Sequence, residues 1–201
     1  QKIMRLQNKI AIVTGSGSGI GRGIALAFAK EGANIIVVDY IEEGGQETAE
    51  LIKKEKGKAV FVKTDVSKAI DVENMVQTCL DEFGRVDILV NNAGIYRAYN
   101  LHEMSEENWD EVLNINLKSV FLGVKRVIPE MLKQGKGKII SVASIAGLVG
   151  FAKSGAYCAS KGGIIALTKE MALEYAPKKI NVNCIAPGVI KTAMTKDMID
   201  D

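Results

Sequence analysis

A chain of 201 residues, 47% hydrophobic and 25% charged, is long enough for one sizeable core and too apolar for a disordered one. Its net charge of +2 gives no footprint for nucleic acid, and three cysteines cannot frame a disulfide scaffold. No run of 18 apolar residues is present to span a membrane as a helix.

The mixed, polar start over residues 1–9 does not read as a signal peptide. It also lacks an initiator Met, which points to a trimmed chain or to part of a longer one. Cys79, Cys158 and Cys184 read as reduced thiols, so a cytoplasmic location is expected. His102, the lone histidine, has no HxxxH or cysteine partner, and no metal site is expected.

Short β-branched runs alternate with longer amphipathic segments, and no linker divides them, so residues 1–201 are read as one domain. The first strand is predicted over 10–14 and is followed by a helix over 21–31. A strand over 35–39 precedes a helix over 44–55, and one over 59–62 precedes a helix over 69–83. The fourth strand, 87–91, leads to a long helix over 106–132, with Ser105 placed to cap its start. Gly135 and Gly137 then release the chain into a strand over 138–142. A helix over 157–175 stops at Ala176-Pro177, before a sixth strand over 181–185. Continuous runs such as IIVV and ILV suit strands buried on both faces, hence a parallel sheet. The expectation is an α/β fold: a doubly wound, three-layer α/β/α sheet of order 3-2-1-4-5-6, with a ligand crevice where strands one and four part.

The first strand runs directly into Thr14-Gly15-Ser16-Gly17-Ser18-Gly19-Ile20-Gly21 and then into a helix. Glycines let the backbone turn sharply and approach a phosphate closely. The helix N-terminus offers unpaired N–H groups and a favourable dipole to a pyrophosphate. The spacing is not G-x-G-x-x-G; Gly15, Gly19 and Gly21 form a wider T-G-x-x-x-G-x-G. A plain flexible turn is the competing reading, and the strand–turn–helix context of a Rossmann fold counts against it. Asp39 closes strand two, 18 residues after Gly21. A carboxylate there can accept both hydroxyls of an adenosine ribose and would repel a 2′-phosphate. No arginine lies within the turn, and the next basic residue is Arg22, so NAD is expected over NADP. Asp65, with the Val66 amide, can hold an adenine edge; alternatively Asp65 or Ser67 caps the following helix. Asn91-Asn92-Ala93-Gly94 ends strand four, where small residues allow close contact with a cofactor and buried amides can tie loops. Turn formation alone also explains that run.

Tyr157 and Lys161 lie four apart in a helix and share a face. An adjacent ammonium would favour the phenolate and lower the tyrosine pKa from its usual value near 10. Tyr157 would then exchange a proton with an alcohol or a ketone. Ser144 ends strand five, where its hydroxyl can hold a substrate oxygen or cap a turn. Asn116 sits mid-helix, where a side-chain amide is intrinsically unfavourable; it can bind water and connect Lys161 to solvent. Each of these residues has an ordinary structural explanation by itself. With the glycine turn and Asp39 they make a coherent hydride-transfer site.

The sequence at this point resembles the short-chain dehydrogenase/reductase family. The resemblance rests on TGSGSGIG at 14–21, NNAG at 91–94, Asn116, Ser144, YCASK at 157–161 and PGVIKT at 187–192, and it covers the chain after Leu6. It implies a tetrad of Asn116, Ser144, Tyr157 and Lys161. Tyr157 would be the general acid/base, Ser144 would position the substrate oxygen, and Asn116 would hold a relay water. Lys161 would also hold the nicotinamide ribose. Implied cofactor contacts are Gly15, Ser18, Gly19, Ile20, Gly21, Asp39, Asp65, Val66, Asn92, Ala93, Gly94, Tyr157, Lys161, Pro187, Gly188, Ile190 and Thr192. The resemblance implies no metal and a homotetramer built on the helices over 106–132 and 157–175. Complete members are longer, so the last helix and a seventh strand are expected to be missing, and much of the substrate pocket with them.

Two branches of the family fit. Ser18 stands where many acyl-carrier-protein reductases carry arginine, which with Asp39 favours an NAD-linked dehydrogenase of secondary alcohols over an NADPH-dependent 3-oxoacyl-(acyl-carrier-protein) reductase. A different class, a non-catalytic dinucleotide sensor, would usually have lost the tyrosine or the lysine. The segments 95–101 and 148–153 are expected to line the substrate pocket. Ile95, Tyr96, Val149 and Phe151 would form a partly apolar wall, and Arg97 and Lys153 would admit a polar or anionic group. No nucleic-acid or membrane partner is expected. Trp109 and Phe121 read as packing residues.

Overall fold

The computed structural model describes residues 4–192. Its strands are β1 (Ile10–Thr14), β2 (Asn34–Asp39), β3 (Ala59–Lys63), β4 (Ile88–Asn91), β5 (Gly137–Val142) and β6 (Ile180–Ile185). They form one parallel sheet in the order β3-β2-β1-β4-β5-β6. This is the expected order, with six strands among the described residues. The side chains alternate across it. Ile10 and Ile12 of β1 join one core, and Ala11 and Val13 join the other.

The helices fall on the two faces accordingly. Helices α1 (Gly19–Lys30) and α2 (Glu42–Lys54) bury Ala25, Ala49 and Ile52 against one face. Helices α3 (Ala69–Phe83), α5 (Ser119–Gln134) and α6 (Gly155–Tyr175) cover the other with Met75, Met131 and Ile164. Helix α4 (Glu106–Leu113) packs against α6. Among the described residues no helix is long and apolar enough to cross a membrane.

Local chemistry explains the boundaries. Ser105 accepts from the Asn108 N–H at the start of α4, as its capping role predicts. Gly135 ends α5 with φ at 69°, a left-handed conformation that glycine tolerates best. Ala176 and Pro177 turn the end of α6 into a single 3₁₀ turn, Ala176–Lys178. The long helix expected over 106–132 is a correction. A π turn, Asn114–Lys118, divides it into α4 and α5. Phe121 is a second correction: it is half-exposed on α5, with the Lys125 ammonium over its ring.

Candidate active site

The chain reverses winding direction between β1 and β4, so the loops after these strands separate and leave a crevice at their C-terminal ends. Thr14, the last residue of β1, joins the two loops. Its hydroxyl donates to the Val90 carbonyl and accepts from the Asn92 and Ala93 amides at 3.0 and 3.1 Å. The Asn92 side chain donates to the Thr14 and Gly15 carbonyls at 2.9 and 3.1 Å. Gly15 turns with φ at +62°, and a Cβ there would lie 2.8 Å from Ala93 Cα. A Cβ on Gly21 would overlap the Gly15 carbonyl. The glycines are therefore required by close backbone contact as well as by the turn.

Asp39 stands at the C-terminal end of β2 beside this turn. Its Oδ2 accepts from the Gly17 N–H at 2.8 Å and its Oδ1 from the Ile41 N–H at 2.9 Å. Asp65 follows β3 and is engaged locally: its Oδ1 accepts from the Ser67 amide and hydroxyl at 3.1 and 2.6 Å. Neither Asp65 nor Ser67 caps the following helix, whose N-cap is Lys68 without a side-chain cap; Asp65 closes a turn of its own loop, and Asp65 and Val66 line the crevice.

At the other end of the crevice, α6 presents Tyr157 and Lys161. Lys161 is buried, and its Nζ donates to the Val142 carbonyl at 2.8 Å. Burial pushes its pKa down to about 8, because the charged form is the one that loses hydration. Burial also pushes the Tyr157 phenol above its ordinary value, while a hydrogen bond with Ser144 works in the opposite direction. The lowered tyrosine pKa expected from an adjacent ammonium is thus not what the chain's own groups produce. The Lys161 ammonium lies 5.6 Å from the Tyr157 ring centroid and is committed to Val142. Ser144 additionally accepts from the Ala146 amide at 3.1 Å, capping a short 3₁₀ turn, Ile145–Gly147.

Asn116 lies within the π turn and is buried. Its Oδ1 accepts from the Ile95 N–H at 2.8 Å; its Nδ2 donates to the Ile95 carbonyl and to Ser160 Oγ at 3.0 and 3.1 Å. Ser160 donates in turn to the Tyr157 carbonyl at 2.8 Å. The unfavourable mid-helix amide is explained: it ties the loop after β4 to the helix that carries Tyr157.

One cavity of about 740 Å³ runs through the site, within the roughly 300–1,000 Å³ of small-molecule pockets. It brings together Gly15, Ser18, Gly19, Ile20, Gly21, Asp39, Asp65, Val66, Asn92, Ala93 and Gly94. It also takes in Ser144, Tyr157, Lys161, Pro187, Gly188, Ile190 and Thr192. Asn116 stands behind it. The substrate end differs from expectation. Of the anticipated wall, Ile95 and Arg97 line the cavity; Tyr96, Val149, Phe151 and Lys153 do not. Val149 and Phe151 face outward. Arg97 is paired with Glu111 through two hydrogen bonds of 3.1 and 3.2 Å, so its charge is neutralised.

Several residues escaped the sequence reading. Thr14 stood within the motif without a stated role. Arg22, Glu47, Glu111, Ser154 and Ser160 had none. Tyr96 packs edge-on against Tyr157 at 5.3 Å, and its hydroxyl meets Ser154 Oγ at 3.1 Å. Their partners lie up to 79 residues away, and no local pattern signals such contacts.

The cradle fits a dinucleotide. Close-packed glycines open the backbone at one point, an aspartate held by two amides stands at one end, and a tyrosine–lysine pair stands at the other. Comparison with known proteins agrees. A family model described as short chain dehydrogenase matches residues 9–201. A 3-oxoacyl-(acyl-carrier-protein) reductase of Chlamydia trachomatis is 45% identical over 197 residues, covering 98% of this chain and 79% of that protein. The cyclopentanol dehydrogenase of Comamonas sp. (strain NCIMB 9872) is 42% identical over 196 residues, covering 98% and 78%. The crystal structure of levodione reductase matches with a TM-score of 0.94 at 34% identity, covering 98% of this chain and 77% of that one.

Proposed function

The chain belongs to the short-chain dehydrogenase family, and from that premise we propose that it passes a hydride between NAD(H) and a secondary alcohol or ketone, with Tyr157 as general acid/base. Membership makes it an NAD(P)-dependent oxidoreductase acting on alcohol and ketone groups. The finer reading rests on one observation: Ser144, Tyr157 and Lys161 line the same cavity as the glycine turn and Asp39.

When bound, the nicotinamide supplies the hydride acceptor or donor. The protein's own groups do the rest. Asp39 has two oxygens, each already accepting one backbone N–H, and each retains a lone pair for a ribose hydroxyl. This favours NAD over NADP. Lys161 donates one of its three N–H groups to the Val142 carbonyl, and the other two are suited to the nicotinamide ribose. Ser144 holds the substrate oxygen. Tyr157, kept protonated by burial, gives its proton to that oxygen in reduction and recovers it in oxidation. Asn116 keeps the loop and α6 in register. The neutral Arg97–Glu111 pair and the apolar Ile95 favour an uncharged substrate. The chain acts as one dinucleotide-binding catalytic domain.

The test is Tyr157→Phe, assayed at 340 nm on a panel of secondary alcohols and ketones. Loss of a proton-transfer group is expected to cut kcat by about 10²–10⁴-fold while NADH binds nearly as before. Normal turnover would sink the acid/base assignment. A second reading is favoured by the identity to the Chlamydia trachomatis protein: NADPH-linked reduction of 3-oxoacyl thioesters. Preference for NADPH together with turnover of such thioesters would establish it instead.

A further inference from the structure

We propose that Arg22 is a positioning residue for the adenosine end of the site and that, with Glu47, it sets the preference for NADH over NADPH. The inference rests on the NAD reading above and extends it to residues outside the ligand cavity.

Arg22 lies in the first turn of α1 and reaches across to α2. Its Nε donates to Thr48 Oγ1 at 2.9 Å. Its Nη2 donates to the Gly17 carbonyl at 2.5 Å, to the Gly44 carbonyl at 3.3 Å and to Glu47 Oε2 at 2.6 Å. Thr48 itself donates to the Gly44 carbonyl at 3.0 Å. One guanidinium thus clamps the glycine turn to the start of α2. The backbones touch where it does so. A Cβ on Gly44 would lie 2.8 Å from the Gly17 carbonyl oxygen, and one on Gly17 would lie 2.8 Å from Asp39 Oδ2.

Gly17 is consequently pinned from both sides. The peptide before it donates its N–H to Asp39, and the peptide after it gives its carbonyl to Arg22. Peptides are planar and trans, so fixing one atom of each leaves little freedom between them. The direction of the Gly17 N–H fixes the plane of the Asp39 carboxylate, and that plane decides whether the remaining lone pairs meet two vicinal hydroxyls. Glu47 has a separate effect. Arg22 is the basic residue that follows the turn most closely, and its charge would attract a 2′-phosphate. The ion pair with Glu47 takes up that charge and holds it toward α2. Removing Arg22 loosens Asp39 and weakens NADH; removing the Glu47 charge frees Arg22 for NADPH. Both changes shift the ratio the same way.

The experiment is a fluorescence titration of NADH and NADPH against wild type, Arg22→Met, Arg22→Lys and Glu47→Gln, each also in an Asp39→Ala background. Arg22→Met is expected to raise the NADH Kd about tenfold and the NADPH Kd much less, and Arg22→Lys to recover part of the loss. Glu47→Gln, at a half-exposed side chain, is expected to lower the NADH:NADPH preference about threefold and serves if Arg22→Met does not fold. In the Asp39→Ala background Arg22→Met should leave the ratio unchanged. Equal losses of both cofactors on Arg22→Met, or the same Arg22→Met shift without Asp39, would overturn the inference alone. A wild-type preference for NADPH would overturn the NAD reading and the inference with it.

Discussion

At Lys161 the cost of the site is concentrated in one residue. It is a buried ammonium that donates to the Val142 carbonyl, and burial brings its pKa from 10.5 to about 8. The sign of the resulting pH dependence follows directly. Below pH 8 both folded and unfolded chains carry the proton, and the folded state bears the full cost of burying it. Between about pH 8 and 10.5 the folded chain has released the proton while the unfolded chain keeps it, so stability rises with pH. The rise amounts to at most about 3 kcal/mol. Denaturant unfolding from pH 7 to 10.5 should therefore show the wild type gaining on Lys161→Met through this window, and parallel curves would refute the assignment. At this scale the sequence was informative. The four-residue spacing of Tyr157 and Lys161 predicts a shared helix face, and both line the cavity. It did not give the direction of the Tyr157 shift, because desolvation depends on what the fold packs around the ring, including Tyr96.

Among elements, the contact that shapes the site is between the 3₁₀ turn Ile145–Gly147 and α6. A Cβ at Gly147 would lie 2.6 Å from the Lys161 carbonyl carbon and 2.8 Å from the Gly162 nitrogen. Both are backbone atoms that cannot yield by changing rotamer. Gly147→Ala is therefore expected to push Ser144 away from Tyr157. Stability should fall by about 1–3 kcal/mol, and kcat by up to about a hundredfold through misalignment of reacting groups. Thermal melts and steady-state rates check this; an unchanged kcat would show that the two elements are not held by this contact. Strand and helix positions were largely legible, since β-branched runs and amphipathic periods are local. The helix over 106–132 was not. A π turn inserts one residue without a glycine or proline to announce it, and what holds Asn116 there is Ile95, Ser160 and the fold around them.

For the whole molecule, we propose the homotetramer that the family resemblance implies, with exposed apolar side chains for its interfaces. Phe121 and Leu132 on α5 and Leu173 on α6 are exposed, Leu173 at 81%. Light scattering is expected to give four times the chain mass, and Leu173→Glu to reduce it; a monomeric wild type would remove the proposal. What the sequence by itself determined is local in origin. Continuous apolar runs require strands buried on both faces, glycines after the first strand require a tight turn, and spacing places Tyr157 and Lys161 together. The tertiary structure decided what joins these pieces. Thr14 bridges the loops after β1 and β4, Arg22 ties the glycine turn to α2, and Glu111 cancels the charge of Arg97. Strand and helix periodicity acts over a few residues and can be read along the chain. These contacts span 5 to 79 residues and arise only when sheet order and helix packing bring distant side chains within hydrogen-bond reach.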